Sequence, residues 1–281
     1  MGKKKVNTII QRSITGAVYI GAIIVSVCLG GMYLHLFFGI LTLLTLQEFY
    51  AMFRKSNVQP QHILAPILGF LIYASSLLPE YSVYLNDRFL PLVVTVFASL
   101  LLILSNELLR KKKQAIYNMS LSIFGIVYIV PPMIIINELS ARGQAKEMDQ
   151  LFPLLGIFIL IWAFDTFAYL VGRKLGKHKL LERISPKKSW EGFFGGFFFA
   201  ILAGLVMAYF LDEQPYLYYA VIAALVAVFS TIGDLIESMI KRSLFIKDSG
   251  KILPGHGGLL DRIDSILIVF PVIFMVELIF S

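Results

Sequence analysis

Long apolar runs recur along the whole 281-residue chain and are separated by short polar connections. Nine runs approach the roughly 20 residues that a helix needs to cross a hydrocarbon core about 30 Å thick. They lie at about 13–31, 33–53, 62–79, 89–105, 116–138, 151–172, 192–211, 217–240 and 263–280. The pattern predicts an all-α polytopic membrane protein of about nine transmembrane helices.

The composition agrees with this interpretation. The chain is 58% hydrophobic and 15% charged, whereas a soluble domain is roughly 45–50% apolar and about 25% charged. We therefore expect one integral-membrane domain. Residues 1–150 would supply spans 1–5, and residues 151–281 would supply spans 6–9 with two long polar connections.

Positive charges fall almost entirely on alternate connections. In the predicted topology, 22 of the 25 Lys and Arg residues lie on the same side of the membrane as the N-terminus. Only Arg88, Arg142 and Lys146 lie on the other side. Basic loops face the cytoplasm in membrane proteins. We therefore predict a cytoplasmic N-terminus and an external C-terminus in a bacterial inner membrane. The net charge of +7 then reflects orientation and does not indicate nucleic-acid binding.

The connections after spans 6 and 8 carry carboxylates at their membrane ends. Asp165 and Asp234 each lie seven residues before a cytoplasmic helix end, about 10 Å deep at 1.5 Å per residue. A carboxylate at such a depth costs about 2.5–3.5 kcal/mol and normally faces a polar cavity. A structural ion pair is one explanation. Two carboxylates at matched depth, with Asp261 and Asp264 before span 9, favour a functional site on the cytoplasmic side.

Two groups of polar residues near these carboxylates are spaced three or four residues apart, so each group shares one face of a helix. The groups are Asp234, Glu237, Ser238 and Lys241 on span 8, and Asp261 and Asp264 on span 9. Clustered carboxylates repel each other unless a cation binds, and an all-oxygen set favours Mg²⁺. The predicted metal ligands are Asp234 and Asp261 first, then Asp165, Glu237 and Asp264.

Basic side chains surround the same carboxylates and can hold phosphates. They are Arg173, Lys187, Lys188, Lys241, Arg242, Lys247 and Arg262. In "PGHGG", at positions 254–258, Gly257 and Gly258 let backbone N–H groups approach an anion before a helix N-terminus. His256 would either donate to a phosphate or order this loop. Carboxylates for a metal beside cations for phosphates are typical of phosphoryl or nucleotidyl transfer.

These motifs resemble the signature of phosphatidate cytidylyltransferases, also called CDP-diacylglycerol synthases. That signature runs S-x-x-K-R, four residues, K-D-x-G/S/A and a final P-x-H-G-G-x-x-D-R-x-D. Residues 238–264 match it without a gap, and "SPKKSWEG" at 185–192 resembles a second block. The resemblance is clear from about residue 165 to 265, whereas spans 1–5 match only in general character.

The resemblance implies that CMP passes from CTP to phosphatidate, giving CDP-diacylglycerol and pyrophosphate. It also implies Mg²⁺, with a second cation left open, and a homodimer in the bilayer, with CTP and phosphatidate as ligands and no nucleic acid. The expected catalytic residues are Asp234, Asp261, Asp264, Lys241 and Arg242. The expected substrate-binding residues are Arg173, Lys187, Lys188, Ser238, Lys247, His256, Gly257, Gly258 and Arg262.

Other functions are less consistent with the chain. One alternative is another CTP-using lipid kinase or nucleotidyltransferase, such as a polyprenol-type kinase. A second is a CDP-alcohol phosphotransferase, but the D-G-x-x-A-R motif of that group is absent. A proton-coupled transporter could use Asp165 and Asp234 as a relay. Transporters, however, place such groups near the midplane between repeated halves, and no repeat is visible in this sequence.

Overall fold

A computed structural model of the chain describes residues 2–81, 89–143, 151–211, 215–250, 252 and 257–280. Over these residues the chain forms nine α-helices, and each coincides with one predicted apolar run. They are α1 Gly2–Leu29, α2 Gly31–Met52, α3 Leu64–Tyr81, α4 Leu90–Arg110, α5 Ala115–Gly143, α6 Leu151–Leu175, α7 Trp190–Leu211, α8 Tyr216–Ser243 and α9 Leu260–Phe280. A 3₁₀ helix, Phe53–Lys55, follows α2.

Six helices within the described ranges are long and apolar enough to cross a membrane. They are Gly31–Lys55, Leu90–Arg110, Ala115–Ala141, Leu154–Leu175, Trp190–Leu211 and Tyr216–Ser243. The apolar parts of α1 and α3, Ile14–Leu29 and Leu64–Leu78, are shorter. The expectation of a helical, polytopic membrane protein is confirmed, whereas nine crossings and the orientation of the termini stay predictions.

The chain divides into two compact units. The first contains Met1–Asn137 and Asp248–Asp261, and the second contains Glu138–Lys247 and Arg262–Ser281. The segment Asp248–Asp261 groups with the N-terminal helices although it is distant from them in sequence. The expected grouping of spans 1–5 and of spans 6–9, with a boundary at residue 150, stays a prediction.

In the first unit, α2 and α5 pack closely around Tyr50. The Tyr50 side chain is buried, and its hydroxyl donates a 2.5 Å hydrogen bond to the carbonyl oxygen of Ser122. A Cβ atom at Gly125 would lie 2.6 Å from that hydroxyl. The glycine therefore permits the two helices to approach at this point.

A buried polar network joins the loop before α3 to α4 and α5 in the same unit. The Glu107 carboxylate accepts hydrogen bonds from Asn118 at 2.8 Å, Gln61 at 3.1 Å and Arg110 at 2.7 Å. The Gln61 backbone N–H donates to Ser122 at 2.9 Å. Because buried polar groups are costly unless they are hydrogen-bonded, this network stabilises the ends of the helices it joins.

In the second unit, α7 packs through a ridge of small residues. The buried positions of α7 are Gly192, Gly196, Ala200, Gly204 and Ala208, which recur every four residues. A Cβ atom at Gly196 would lie 2.8 Å from the Phe164 carbonyl oxygen of α6, and one at Gly204 would lie 2.8 Å from the Tyr219 carbonyl oxygen of α8. The partners of the ridge are therefore helices of the same chain.

A short antiparallel hairpin, which the sequence did not predict, connects α6 to α7. Its strands are β1 Lys179–Leu181 and β2 Ser185–Ser189. Ser189 caps α7, because its hydroxyl accepts a 3.2 Å hydrogen bond from the Gly192 N–H. Glu191 accepts hydrogen bonds from the N–H groups of Lys177 and His178, each at 3.1 Å. These contacts attach the hairpin firmly to the start of α7.

Candidate active site

Three of the predicted carboxylates, from three helices of the second unit, interact electrostatically. Asp165 lies on α6, Asp234 on α8 and Asp264 on α9. Asp165 and Asp264 each interact electrostatically with Asp234, with each other and with Lys188. The backbone permits this because Gly233 faces α9: a Cβ atom there would lie 2.6 Å from the Asp264 carbonyl oxygen. Their assignment to a functional site, with Asp261 and Glu237, stays a prediction.

The hairpin places Lys188 against this group. Its ammonium lies 2.8 Å from Oδ2 of Asp234, and the two side chains are 26% and 37% exposed. Successive side chains of a strand point to opposite faces, so Lys187 next to it is exposed. The sequence treated the two lysines as equivalent, but the strand gives only Lys188 a contact with Asp234.

The pair of Lys188 and Asp234 contributes little to stability, because a partly exposed ion pair is worth about 0–1 kcal/mol.

The polar face predicted on α8 is present. The Ser238 hydroxyl donates a 3.1 Å hydrogen bond to Oδ1 of Asp234. One turn further on, Lys241 forms an ion pair with Glu237. Glu237 is 1% exposed and Lys241 8% exposed. Asp234 thus lies at the accessible end of this face, whereas Glu237 and Lys241 form a buried pair behind it.

The remaining predicted cations differ in their contacts. Arg242 donates to two backbone carbonyl oxygens, Ile184 at 3.3 Å in the hairpin and Ile246 at 3.0 Å after α8. It therefore joins two polar connections of the second unit. Arg173 contacts the Tyr169 hydroxyl at 3.4 Å. Lys247 and Arg262 are exposed.

In the first unit, Asp261 binds two backbone N–H groups of residues 248–261, which we call the signature segment. Oδ2 of Asp261 accepts hydrogen bonds from the N–H groups of Ser249 at 3.1 Å and Gly258 at 2.8 Å. Gly257 has φ +86°, a conformation that favours glycine, and a Cβ atom there would lie 2.7 Å from the same oxygen. His256 lies outside the described residues, so its predicted role stays a prediction.

Glu48 of α2 contacts this segment, and the sequence alone did not indicate it as a site residue. Its carboxylate accepts hydrogen bonds from the Ser249 hydroxyl at 2.5 Å and from the N–H groups of Leu259 at 3.0 Å and Leu260 at 2.9 Å. A lone acidic residue in an apolar run was the only available signal. Nothing in the sequence linked it to a segment about 200 residues later.

The carboxylates suit a hard divalent cation in their chemistry, because oxygen ligands are what such ions prefer. Within the described ranges, no three His, Cys, Asp or Glu side chains lie close enough together to hold a metal ion. The Lys188 ammonium contacts Asp234 instead, at 2.8 Å. The predicted Mg²⁺ ligands therefore stay predictions.

Comparison with known proteins identifies the family. The family model described as "Cytidylyltransferase family" matches residues 10–280. The chain belongs to this family. The chain is 32% identical over 247 residues to a phosphatidate cytidylyltransferase of Staphylococcus aureus, covering 87% of this chain and 89% of the relative. It is 35% identical over 246 residues to the enzyme of that name from Staphylococcus saprophyticus, with the same shares covered.

A third relative gives a shorter match with higher identity. The chain is 38% identical over 173 residues to a phosphatidate cytidylyltransferase of Staphylococcus epidermidis, covering 61% of this chain and 64% of the relative. The resemblance inferred from the motifs is confirmed, and the match extends over spans 1–5, which the motifs did not cover. The protein is therefore a nucleotidyltransferase, and the transporter and lipid-kinase alternatives gain no support.

Proposed function

We propose that this protein is a phosphatidate cytidylyltransferase of phospholipid biosynthesis, transferring CMP from CTP to phosphatidate. The relatives that span most of the chain carry this name. The structural observation that carries the proposal is the pair of Lys188 and Asp234 beside Asp165 and Asp264. A cation in contact with a carboxylate supports the proposal, because transfer between phosphates uses both kinds of group.

In this reaction an oxygen of the phosphatidate phosphate attacks the α-phosphorus of CTP. The bond from that phosphorus to the bridging oxygen of the β-phosphate breaks, and pyrophosphate leaves. A phosphomonoester has a second pKa near 6, so the attacking group is largely dianionic at neutral pH. No strong general base is therefore needed. The difficulty is to bring two polyanions together and to stabilise the charge that develops on pyrophosphate.

The residues of the second unit are suited to these tasks. Lys188 would hold a phosphate oxygen while remaining next to Asp234. Ser238 would orient Asp234 through its hydrogen bond. Binding of Mg²⁺ by Asp234, Asp165 and Asp264 stays a prediction, because no three such side chains of the described residues lie close enough together to hold an ion. A bound divalent cation would supply neutralisation of phosphate charge. The participation of Asp261 as a further ligand stays a prediction.

The substrates explain why the enzyme is embedded in a membrane. Phosphatidate is a lipid whose phosphate lies at the bilayer surface, whereas CTP comes from water. We propose that the basic connections face the cytoplasm in a bacterial inner membrane, with nine crossings and an external C-terminus, on the basis of the charge distribution. A homodimer stays a prediction from the resemblance, because the small-residue ridge of α7 is already covered within the chain.

Two labelled forms of CTP test the proposed reaction. Purified protein in nanodiscs that contain phosphatidate is supplied with Mg²⁺ and CTP labelled at either the α- or the γ-phosphate. A cytidylyltransferase moves the α-label into lipid and the γ-label into pyrophosphate. A lipid kinase would move the γ-label into lipid. That result, or no labelled lipid from either form, would overturn the proposal.

A further inference from the structure

Glu48 is a buried carboxylate in an apolar helix, and its contacts call for an explanation. It lies on α2, within a span of mean hydropathy 1.6, and is 4% exposed. A buried carboxylate is costly unless hydrogen bonds satisfy it. Three donors do so here, and all three belong to the signature segment: the Ser249 hydroxyl and the N–H groups of Leu259 and Leu260.

Two of these donors lie at the start of α9. The first N–H groups of a helix have no partner within it, and the dipole of the helix favours a negative charge at that end. Glu48 thus satisfies Leu259 and Leu260 from another helix, while Ser249 connects the same carboxylate to the other end of the segment. One side chain therefore joins both ends of residues 249–260 to α2.

The position of the Glu48 carboxylate also explains why residues 250 and 258 of the signature segment are glycines. A Cβ atom at Gly250 would collide with the Glu48 carboxylate. A Cβ atom at Gly258 would collide with both the Glu48 carboxylate and the Ser249 hydroxyl. Residues with side chains at either position would displace the carboxylate from its three donors. These glycines are thus needed where the backbone closes around Glu48.

We propose that Glu48 is a positioning residue of the transferase reaction. It holds Ser249 together with Leu259 and Leu260, and hence Asp261 directly after them, in the arrangement that the reaction requires. Glu48 acts through this segment, and its carboxylate is already occupied by the three donors. This inference rests on the proposed function.

The test compares two buried carboxylates of the first unit. Glu107 is also 4% exposed and also accepts several hydrogen bonds, but its partners Gln61, Arg110 and Asn118 lie outside the signature segment. Glu48→Gln and Glu107→Gln make the same chemical change. Both should lower the melting temperature of the purified protein. Only Glu48→Gln should lower kcat of the folded fraction by about 10–100-fold, the typical cost of a misplaced group.

Amide hydrogen exchange provides a second measurement that does not depend on activity. Peptides covering residues 257–261 should exchange faster in Glu48→Gln than in wild type, and at the wild-type rate in Glu107→Gln. Should wild type lack cytidylyltransferase activity, the proposed function fails, whereas exchange still reports whether Glu48 holds the segment. Normal kcat and normal exchange in Glu48→Gln would overturn the inference, as would an equal loss of kcat in both variants.

A milder variant covers the case in which Glu48→Gln does not fold. Ser249→Ala removes one of the three donors and leaves the carboxylate and both backbone donors in place. It should change exchange and kcat in the same direction as Glu48→Gln, by a smaller factor. If Ser249→Ala kept the wild-type exchange rate and the wild-type kcat, the proposed role of Glu48 would be contradicted.

Discussion

At the scale of single residues, the contact between Lys188 and Asp234 carries the strongest prediction. If Asp234 holds a cation and Lys188 a phosphate, Asp234→Asn should lower kcat by about 100-fold or more and raise the Mg²⁺ concentration needed for half-maximal activity. Lys188→Ala should also lower kcat strongly. The kcat of the double variant should be close to that of the more impaired single variant, because the effects of residues that act as a unit are not additive. Mg²⁺-dependent turnover of the three purified variants measures this.

Lys187→Ala is the matched control for Lys188→Ala, because it removes the same group from the opposite face of β2. It should lower turnover much less. Melting temperatures should change little in all these variants, since a partly exposed ion pair contributes about 0–1 kcal/mol. Equal losses of turnover from the two lysine variants would contradict the role assigned to the strand. An unchanged Mg²⁺ dependence in Asp234→Asn would remove that residue from the site.

At the scale of elements, the contact of α7 with α6 depends on Gly196. A Cβ atom there would lie 2.8 Å from both the Phe164 carbonyl oxygen and the Ala168 Cβ, and the carbonyl cannot rotate away. Gly196→Ala should therefore cost about 1–3 kcal/mol and lower the melting temperature in detergent. Gly21→Ala in α1 is the control, because nothing lies within 4 Å of a Cβ atom there. It should be neutral or slightly stabilising. Equal changes of melting temperature in Gly196→Ala and Gly21→Ala would show that the ridge does not require glycine at position 196.

At the scale of the whole molecule, the charge distribution predicts which side of the membrane each connection faces. Cys28 is the one cysteine, so Cys28→Ser gives a background for single-cysteine variants. A membrane-impermeant maleimide added to intact cells should label Phe89→Cys and leave Lys112→Cys and Lys247→Cys unlabelled until the cells are broken. All three positions are exposed. Labelling of position 247 from outside would contradict the proposed orientation.

Much of the architecture could be read from local patterns. Each helix of the described ranges coincides with a predicted apolar run, because in a bilayer a continuous apolar segment must satisfy its backbone as a helix. The hairpin was missed because strands of three and five residues leave no clear periodic pattern. The matched depth of Asp165 and Asp234 could be read from the predicted spans, whereas their electrostatic interaction with Asp264, near the start of α9, depends on how the helices pack.

The sequence by itself therefore determined the helical class, the membrane setting and the family, because apolar length and closely spaced motifs are properties of adjacent residues. The tertiary structure decided which lysine contacts Asp234, that the ridge of α7 packs within the chain, and that Glu48 binds Ser249, Leu259 and Leu260. Each of these contacts joins residues distant in the chain. Such contacts form only when helices pack, and no local pattern of hydrophobic and polar residues encodes them.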